Sequence, residues 1–420
     1  MKGKSSIRKP NGLLYFLVWL LIFPALKIIF RLKVDCSGFR PFKGPVIVVC
    51  NHQSYMDFLL AMLTLYPRRL NAVAAQKFFF YRPLDKLLPL MGCIPKNLFD
   101  PDPRSIRAIM NVIKRKGSVL LFPEGRCSVD GMYMGMHRST GKLIKKLGVP
   151  VVGCRIEGAY NCMPFWRGGM RAGPVCVIHK NLFTAEETRS VTLDEINAGI
   201  DDFLSGSAER KTQGKPYRLF RGTRLAEGLE NILYRCPSCG REFTLETKGD
   251  VIRCRVCGNA AAMDKSAKLT PLSGSVAPCS VHDWYKEQAI FESRFLRENE
   301  EPTTAFRVAV RMPRGGGGGL AIFGRGELRL DRSGWHYNGV LCGKHSDLFF
   351  PVETVPAIPF DPNNNFQIYA KGNFYVFTPE ENSCACAKYA TLGECAYWLF
   401  SADVQMTKGA DGGFCEEGII

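Results

Sequence analysis

Twice in its first third, this chain runs a short apolar stretch straight into a cluster of polar residues. The first stretch is Val46-Ile47-Val48-Val49-Cys50, followed by Asn51-His52-Gln53-Ser54-Tyr55-Met56-Asp57. The second is Ser118-Val119-Leu120-Leu121-Phe122, followed by Pro123-Glu124-Gly125-Arg126-Cys127-Ser128. Short apolar runs with such abrupt ends read as buried strands. Open α/β sheets place ligands and chemistry at the carboxyl ends of their strands. That is where His52, Asp57, Glu124 and Arg126 fall.

The surrounding pattern supports this reading. From Asp35 to about Phe203, strand candidates at Val46–Cys50, Asn71–Ala75, Ser118–Phe122, Val149–Arg155 and Pro174–His179 alternate with helix candidates. The best helix runs from Pro103 to Lys116, with Ile106, Ile109, Met110 and Ile113 on one face and Gly117 as its stop. Such alternation predicts an α/β layer fold.

Each polar cluster can be read in two ways. His52 lies in a strand-leaving turn, and Asp57 starts a helix that continues through Phe58–Leu63. A histidine oriented by a carboxylate is a general-base arrangement; the alternative is a surface histidine and a helix-starting aspartate. Gly125 permits close approach of a ligand to the backbone. With Arg126 beside it, the turn can cradle a phosphate; the alternative is a Glu124/Arg126 ion pair in a plain turn. Lys96, in Gly92-Cys93-Ile94-Pro95-Lys96-Asn97, is a candidate phosphate contact or a solvated loop lysine. Gly135–Lys142 fails the nucleotide-loop spacing, because five residues separate Gly135 from Gly141 and Leu143 stands where Ser or Thr is required.

Residues 1–34 form a separate segment. Lys2, Lys4, Arg8 and Lys9 precede an uncharged apolar run from Gly12 to Leu26, which Pro24 interrupts and which Lys27, Arg31 and Lys33 follow. Spanning a bilayer takes about 20 apolar residues. The run is shorter and basic on both flanks, so a monotopic or re-entrant helix on the cytoplasmic leaflet fits it, with a single span as the alternative. The chain carries 56 basic and 39 acidic residues, a net charge of +17, which favours a polyanionic partner such as anionic lipid. Most of its 17 cysteines are scattered among apolar residues, and no secretory signal is visible, which points to a reducing, cytosol-facing compartment.

Residues 206–231 read as a polar, basic linker. Beyond it, Cys236-x2-Cys239, fourteen residues, then Cys254-x2-Cys257 offers four thiolates to one tetrahedral Zn²⁺. The intervening hairpin turns at Lys248-Gly249-Asp250, and a glycine after each pair allows a tight knuckle. Four thiolates close the coordination sphere, so the zinc is expected to be structural. Residues 232–262 resemble a zinc ribbon. Residues 281–405 read as an α+β or mostly β domain. A helix spans Val281–Glu298; strands are expected at Phe306–Met312, Glu327–Asp331, Trp335–Tyr337, Phe366–Ala370 and Phe374–Phe377; Gly315–Gly319 forms a loop; and a helix runs from about Cys386 to Phe400. Strands capped by such a helix weakly resemble a pleckstrin-homology-like fold.

Residues 10–205 resemble the glycerolipid acyltransferase family, whose best-known member acylates 1-acylglycerol-3-phosphate (lysophosphatidic acid). Asn51-His52-x4-Asp57 matches the family's first motif. Phe122-Pro123-Glu124-Gly125-Arg126-Cys127-Ser128 matches its third, although Arg126 stands at the usual threonine and Cys127 at the usual arginine. Lys96 and Asn97 stand near the arginine that ends the second motif. The resemblance implies an α/β acyltransferase domain over 35–205, with an N-terminal membrane helix. His52 would act as base on an acceptor hydroxyl and Asp57 would orient it. Lys96, Glu124, Gly125 and Arg126 would bind substrate. The donor would be acyl-CoA or acyl carrier protein, and the acceptor a lysophospholipid in an anionic leaflet. The rival expectation is a membrane-anchored zinc-ribbon adaptor that binds nucleic acid or protein without catalysis. Nucleic acid is disfavoured because Phe243 is the lone stacking candidate in the ribbon.

Overall fold

The computed structural model describes residues 7–206, 220–299, 301–314, 318–370 and 372–408. Lys2 and Lys4, half of the expected linker (207–219), the centre of the glycine loop (315–317) and Lys371 lie outside the described residues. The chain divides into two compact units, Met1–Gly222 and Thr223–Ile420.

Unit 1 is built on seven strands: β1 (Lys33–Gly38), β2 (Ile47–Cys50), β3 (Leu70–Ala75), β4 (Ile94–Lys96), β5 (Ser118–Leu121), β6 (Val151–Glu157) and β7 (Cys176–Phe183). They form one sheet in the order β1-β7-β6-β2-β5-β3-β4. The run β6-β2-β5-β3-β4 is parallel, and β7 enters antiparallel to β6 and carries β1 alongside it. Alternate residues of β2 face opposite layers, as strand pleating requires. Val48 and Cys50 join a core with α2 (Asp57–Thr64) and with Tyr15 and Leu26 of α1 (Gly12–Ile29). Ile47 and Val49 join a second core with α4 (Pro103–Lys114), α5 (Arg138–Leu147) and α8 (Leu193–Ser205). Helices α3 (Leu84–Leu90), α6 (Ala159–Cys162) and α7 (Ala185–Ser190) complete the unit.

Three details depart from expectation. The buried face of α4 is Ser105, Ile109, Val112 and Ile113, while Ile106 is exposed. Gly117 does not supply the left-handed turn after α4; Lys116 does, at φ 62. Gly117 is small because a Cβ there would meet Val112 Cγ1 at 2.8 Å. Pro24 does not interrupt α1, which continues to Ile29 and forgoes only the bond that the missing N–H would make.

By length and composition, α1 is able to cross a membrane. Its inner side is anchored: Tyr15 donates to the Met62 carbonyl at 3.1 Å, and Trp19 stacks on Tyr66 with centroids 4.7 Å apart. Its other side shows Leu13, Phe16, Leu17, Leu20, Leu21 and Ile28 to the surroundings.

Unit 2 begins with a four-stranded antiparallel sheet of β8 (Leu245–Lys248), β9 (Val251–Cys254), β10 (Ala260–Met263) and β11 (Leu269–Pro271). Gly249, at φ 63, makes the β8–β9 turn. The helix Val281–Glu298 locks onto the segment before the first cysteine pair. Gln288 Oε1 accepts from the Tyr234 and Arg235 amides at 2.7 and 3.0 Å, and Trp284 Nε1 donates to the Arg235 carbonyl at 3.0 Å. A second antiparallel sheet has seven strands: β12 (Thr304–Pro313), β13 (Leu320–Asp331), β14 (Gly334–Leu341), β15 (Lys344–Pro351), β16 (Phe360–Asp361), β17 (Asn365–Ala370) and β18 (Asn373–Pro379). Their order is β15-β14-β13-β12-β18-β17-β16, so the first and last strands pair. The helix Cys386–Lys408 follows, and its Tyr389 stacks on Phe306.

Candidate active site

β2 and β5 are neighbours in the sheet, and their register pairs Ile47 with Val119, Val48 with Leu120 and Val49 with Leu121. Continuing both strands by three residues brings His52 level with Glu124, and the contacts follow that register. The His52 N–H donates to Glu124 Oε1 at 2.6 Å, and the Ser128 N–H donates to the His52 carbonyl at 2.8 Å. On the other side, Asn51 ties the turn to β6. Its side chain donates to the Ile156 carbonyl at 2.8 Å and accepts the Ile156 N–H at 2.7 Å. The turn bearing His52 is therefore held from both neighbouring strands.

Asp57, fully buried, opens α2, where the helix N-terminus favours a negative charge. Its Oδ2 lies 3.1 Å from His52 Nδ1 and also accepts the Ser54 N–H at 2.7 Å; its Oδ1 accepts the Ser54 hydroxyl at 2.7 Å. A carboxylate at Nδ1 assigns the proton to that nitrogen and leaves Nε2 as the basic one. The His52 side chain keeps 19% exposure, enough for an incoming group to reach it. Phe122 stacks on the ring with centroids 4.3 Å apart, and Cys127 Sγ lies against it.

Glu124 is buried and accepts backbone N–H groups with both oxygens, from His52 and, at 3.0 Å, from Met134. Burial, with help from the Asp57 charge, pushes its carboxyl up to about 8, against the pull of those two bonds and of Arg126. The folded state thus holds this proton more tightly than the unfolded chain, where the ordinary value is 4.5. Stability from neutral Glu124 is full below 4.5 and is lost as pH rises through about 8. Urea midpoints of the wild type should fall across that window, and those of Glu124→Gln should not. Gln also turns a donor toward one of the two N–H groups, which costs about 1–3 kcal/mol at any pH. A Gln variant as stable as the wild type at low pH would remove this bracing role.

Lys96 ends β4, two strands from β5 on the same edge of the sheet. It is half-buried, and desolvation lowers its pKa against the opposing charges of Asp102 and Asp100. Arg126 is also half-buried. Gly125 adopts φ 80, donates its N–H to the Phe122 carbonyl at 3.1 Å, and lies under the Phe99 ring; a Cβ there would stand 3.0 Å from Phe99 Cζ. Its smallness therefore admits an aromatic ring, and its own amide is already engaged. His52, Asp57 and Glu124 come together as one cluster, with Gly125 and Arg126 following Glu124 in the same turn. Ser54, Phe122, Cys127 and Phe99 also belong to this cluster; Phe122 and Cys127 lie in the third motif but were given no role at His52, and Ser54 and Phe99 were given none at all. Ser54 had a legible signal, because Ser-x-x-Asp is a helix-start spacing.

In unit 2, the sulfurs of Cys236, Cys239, Cys254 and Cys257 all lie within 4.8 Å of one another. The Cys236–Cys257 and Cys239–Cys254 sulfurs are 3.7 and 3.8 Å apart. Tetrahedral Zn²⁺ with bonds of about 2.3 Å sets its sulfurs about 3.8 Å apart, so the site fits that ion. The two knuckles repeat one design. Gly240 and Gly258, at φ 70 and 76, donate their N–H to the Cys236 and Cys254 carbonyls, each at 3.0 Å.

Comparison with known proteins finds a match over each of these two regions. The family model described as Acyltransferase matches residues 31–157, and that described as DNA directed RNA polymerase, 7 kDa subunit, a zinc ribbon, matches residues 229–260. The region that holds His52, Asp57 and Glu124 is thus similar to an acyltransferase family, and the region around the four cysteines to a zinc ribbon. Two of its sequence relatives are plant enzymes. The chloroplastic 1-acyl-sn-glycerol-3-phosphate acyltransferase BAT2 of Brassica napus is 29% identical over 158 residues, covering 36% of this chain and 45% of that protein. The chloroplastic 1-acyl-sn-glycerol-3-phosphate acyltransferase LPAT1 of Arabidopsis thaliana is 29% identical over 155 residues, covering 35% and 43%. The match therefore spans less than half the length of either relative. The solved 1-acyl-sn-glycerophosphate acyltransferase PlsC of Thermotoga maritima aligns over 48% of this chain and 81% of its own, with 21% identity and a TM-score of 0.41.

Proposed function

We propose that the protein is an O-acyltransferase that moves a fatty acyl group from acyl-CoA or acyl carrier protein to the hydroxyl of a lysophospholipid, with 1-acylglycerol-3-phosphate as the preferred acceptor. The observation that carries this reading is the pairing of His52 Nδ1 with buried Asp57 at a strand end, which leaves Nε2 as the basic nitrogen. Nε2 takes the acceptor's hydroxyl proton as its oxygen attacks the thioester carbonyl. The imidazolium, stabilised by Asp57, returns that proton to the departing thiolate. Glu124 braces the His52 backbone. Lys96 and Arg126, cations on the same sheet edge, bind the acceptor phosphate, and Gly125 shapes the turn between Glu124 and Arg126.

The exposed apolar side of α1, with Lys9, Lys27, Arg31 and Lys33 at its ends, supports a monotopic attachment to the anionic cytoplasmic leaflet, where both substrates reside or arrive. The four thiolates would hold a structural Zn²⁺. The pairing of first and last strands and the terminal helix support the pleckstrin-homology-like reading of residues 281–405.

The test is acyl transfer by the full-length chain in anionic vesicles, with acyl-CoA and acyl carrier protein as donors. Lysophosphatidic acid, lysophosphatidylcholine and glycerol-3-phosphate are the acceptors. Lysophosphatidic acid should give the highest kcat/KM. No transfer to any acceptor from either donor would overturn the reading.

A further inference from the structure

The sulfur of Cys127 lies 3.4 Å from His52 Nδ1 and 3.3 Å from Nε2. A sulfur nearly equidistant from both nitrogens at that range cannot lie in the ring plane, where it would overlap Cε1. It lies over the ring face. The Nε2 lone pair points along the ring plane, so this thiol is not aligned to give its proton to His52. A nucleophilic Cys–His pair is therefore not formed, although the residue types and the Asp57 carboxylate would suit one. The contact is one of packing. Cys127 is buried, and its place is fixed because the next residue, Ser128, donates its N–H to the His52 carbonyl at 2.8 Å. Phe122 stacks on the same imidazole at 4.3 Å and 28°.

We propose that Cys127 is a positioning residue for acyl transfer. It rests over the His52 ring and, with Phe122, limits the swing of the imidazole about its Cβ–Cγ bond. The covalent Cβ–Cγ bond and the Asp57 hydrogen bond hold the ring at two adjacent atoms, which leaves a swing about Cβ–Cγ within the give of that hydrogen bond. The sulfur closes this freedom and keeps Nε2 aimed at the acceptor hydroxyl. Productive proton transfer depends on such alignment, and displacement by about 1 Å can cost about 100-fold. The proposal rests on the acyltransferase reading of His52.

The test compares Cys127→Ala with the near-isosteric Cys127→Ser in the full-length chain. Activity is measured with acyl-CoA and lysophosphatidic acid in anionic vesicles. The ring is followed through the imidazole N–H signals of ¹⁵N-histidine-labelled protein, assigned with His52→Gln. The Ala variant should lose between about 10- and 100-fold in kcat with both KM values unchanged, and its His52 N–H should exchange faster with water. The Ser variant should recover most of both. Wild-type kcat and N–H protection in the Ala variant would overturn the proposal. So would a Ser variant as impaired as Ala, together with an acyl adduct on Cys127 by mass spectrometry, because that marks a nucleophile. Wild-type protein inactive on every acceptor, with the N–H difference intact, would remove the acyltransferase reading and leave the ring-holding contact standing.

Discussion

Substituting alanine for His52 should reduce acyl transfer to background while leaving unit 1 folded. Loss of a positioned general base costs about 10²–10⁴-fold in rate. Among the described residues, two further histidine–carboxylate pairs, His336–Asp331 and His345–Asp347, use carboxylates that are not buried and lie in unit 2. The fold should tolerate the change, because the site's architecture is tied through the His52 backbone. Its N–H binds Glu124 and its carbonyl accepts from Ser128, and an alanine keeps both bonds. Thermal unfolding of the variant should therefore overlay that of the wild type. Asp57→Asn should be nearly as damaging, because an amide at this place can turn the imidazole to the wrong tautomer. It should also lower stability, because Asp57 accepts two bonds from Ser54. A His52→Ala protein that acylates lysophosphatidic acid at the wild-type rate would end the general-base account.

Removing zinc, or one of its ligands, should unfold much of unit 2. Structural zinc sites supply about 10–16 kcal/mol of apparent binding free energy, as much as the whole stability of a typical domain. The cysteine knuckles are not a detachable ornament. Helix Val281–Glu298 is bonded to the Tyr234–Arg235 backbone immediately before Cys236, and Tyr234 donates its hydroxyl to Glu292 at 3.0 Å. Tyr285 of the same helix bonds Thr391 at 2.8 Å in the terminal helix. Metal analysis should return about one zinc per chain. Chelation, or Cys236→Ser, should expose Trp284 to solvent and open the Thr223–Ile420 segment to protease. Full retention of unit 2 by zinc-free protein would show that its apolar core suffices.

The sequence made the chemistry more legible than the geometry. His52, Asp57 and the four cysteines stand out because their spacing is set by local turns, a helix start and two knuckles. The α/β alternation was readable from buried strands such as Ile47–Cys50 and Ser118–Leu121, whose residues are apolar throughout. β1 was not, because all of Lys33–Gly38 is exposed and carries no pattern. β15 was missed for a related reason, since Lys344–Pro351 mixes exposed charge with few buried positions. The contacts of Phe99 with Gly125 and of Cys127 with His52 join residues 26 and 75 positions apart. No periodicity encodes such pairs; they arise only when β4 and β5 take their places in the sheet.

The pairing of β2 with β5 has a consequence for how this centre tolerates change. His52 and Glu124 are 72 residues apart along the chain, yet three ladder pairs fix their relation. Material added to the loops between α2 and β5 leaves that relation intact, since loop closure grows slowly with length. A single residue deleted inside β5 does not. It draws Glu124 back by about 3.3 Å and turns alternate side chains to the opposite face. The reading frame within two four-residue strands therefore governs the centre more strictly than the length of everything between them.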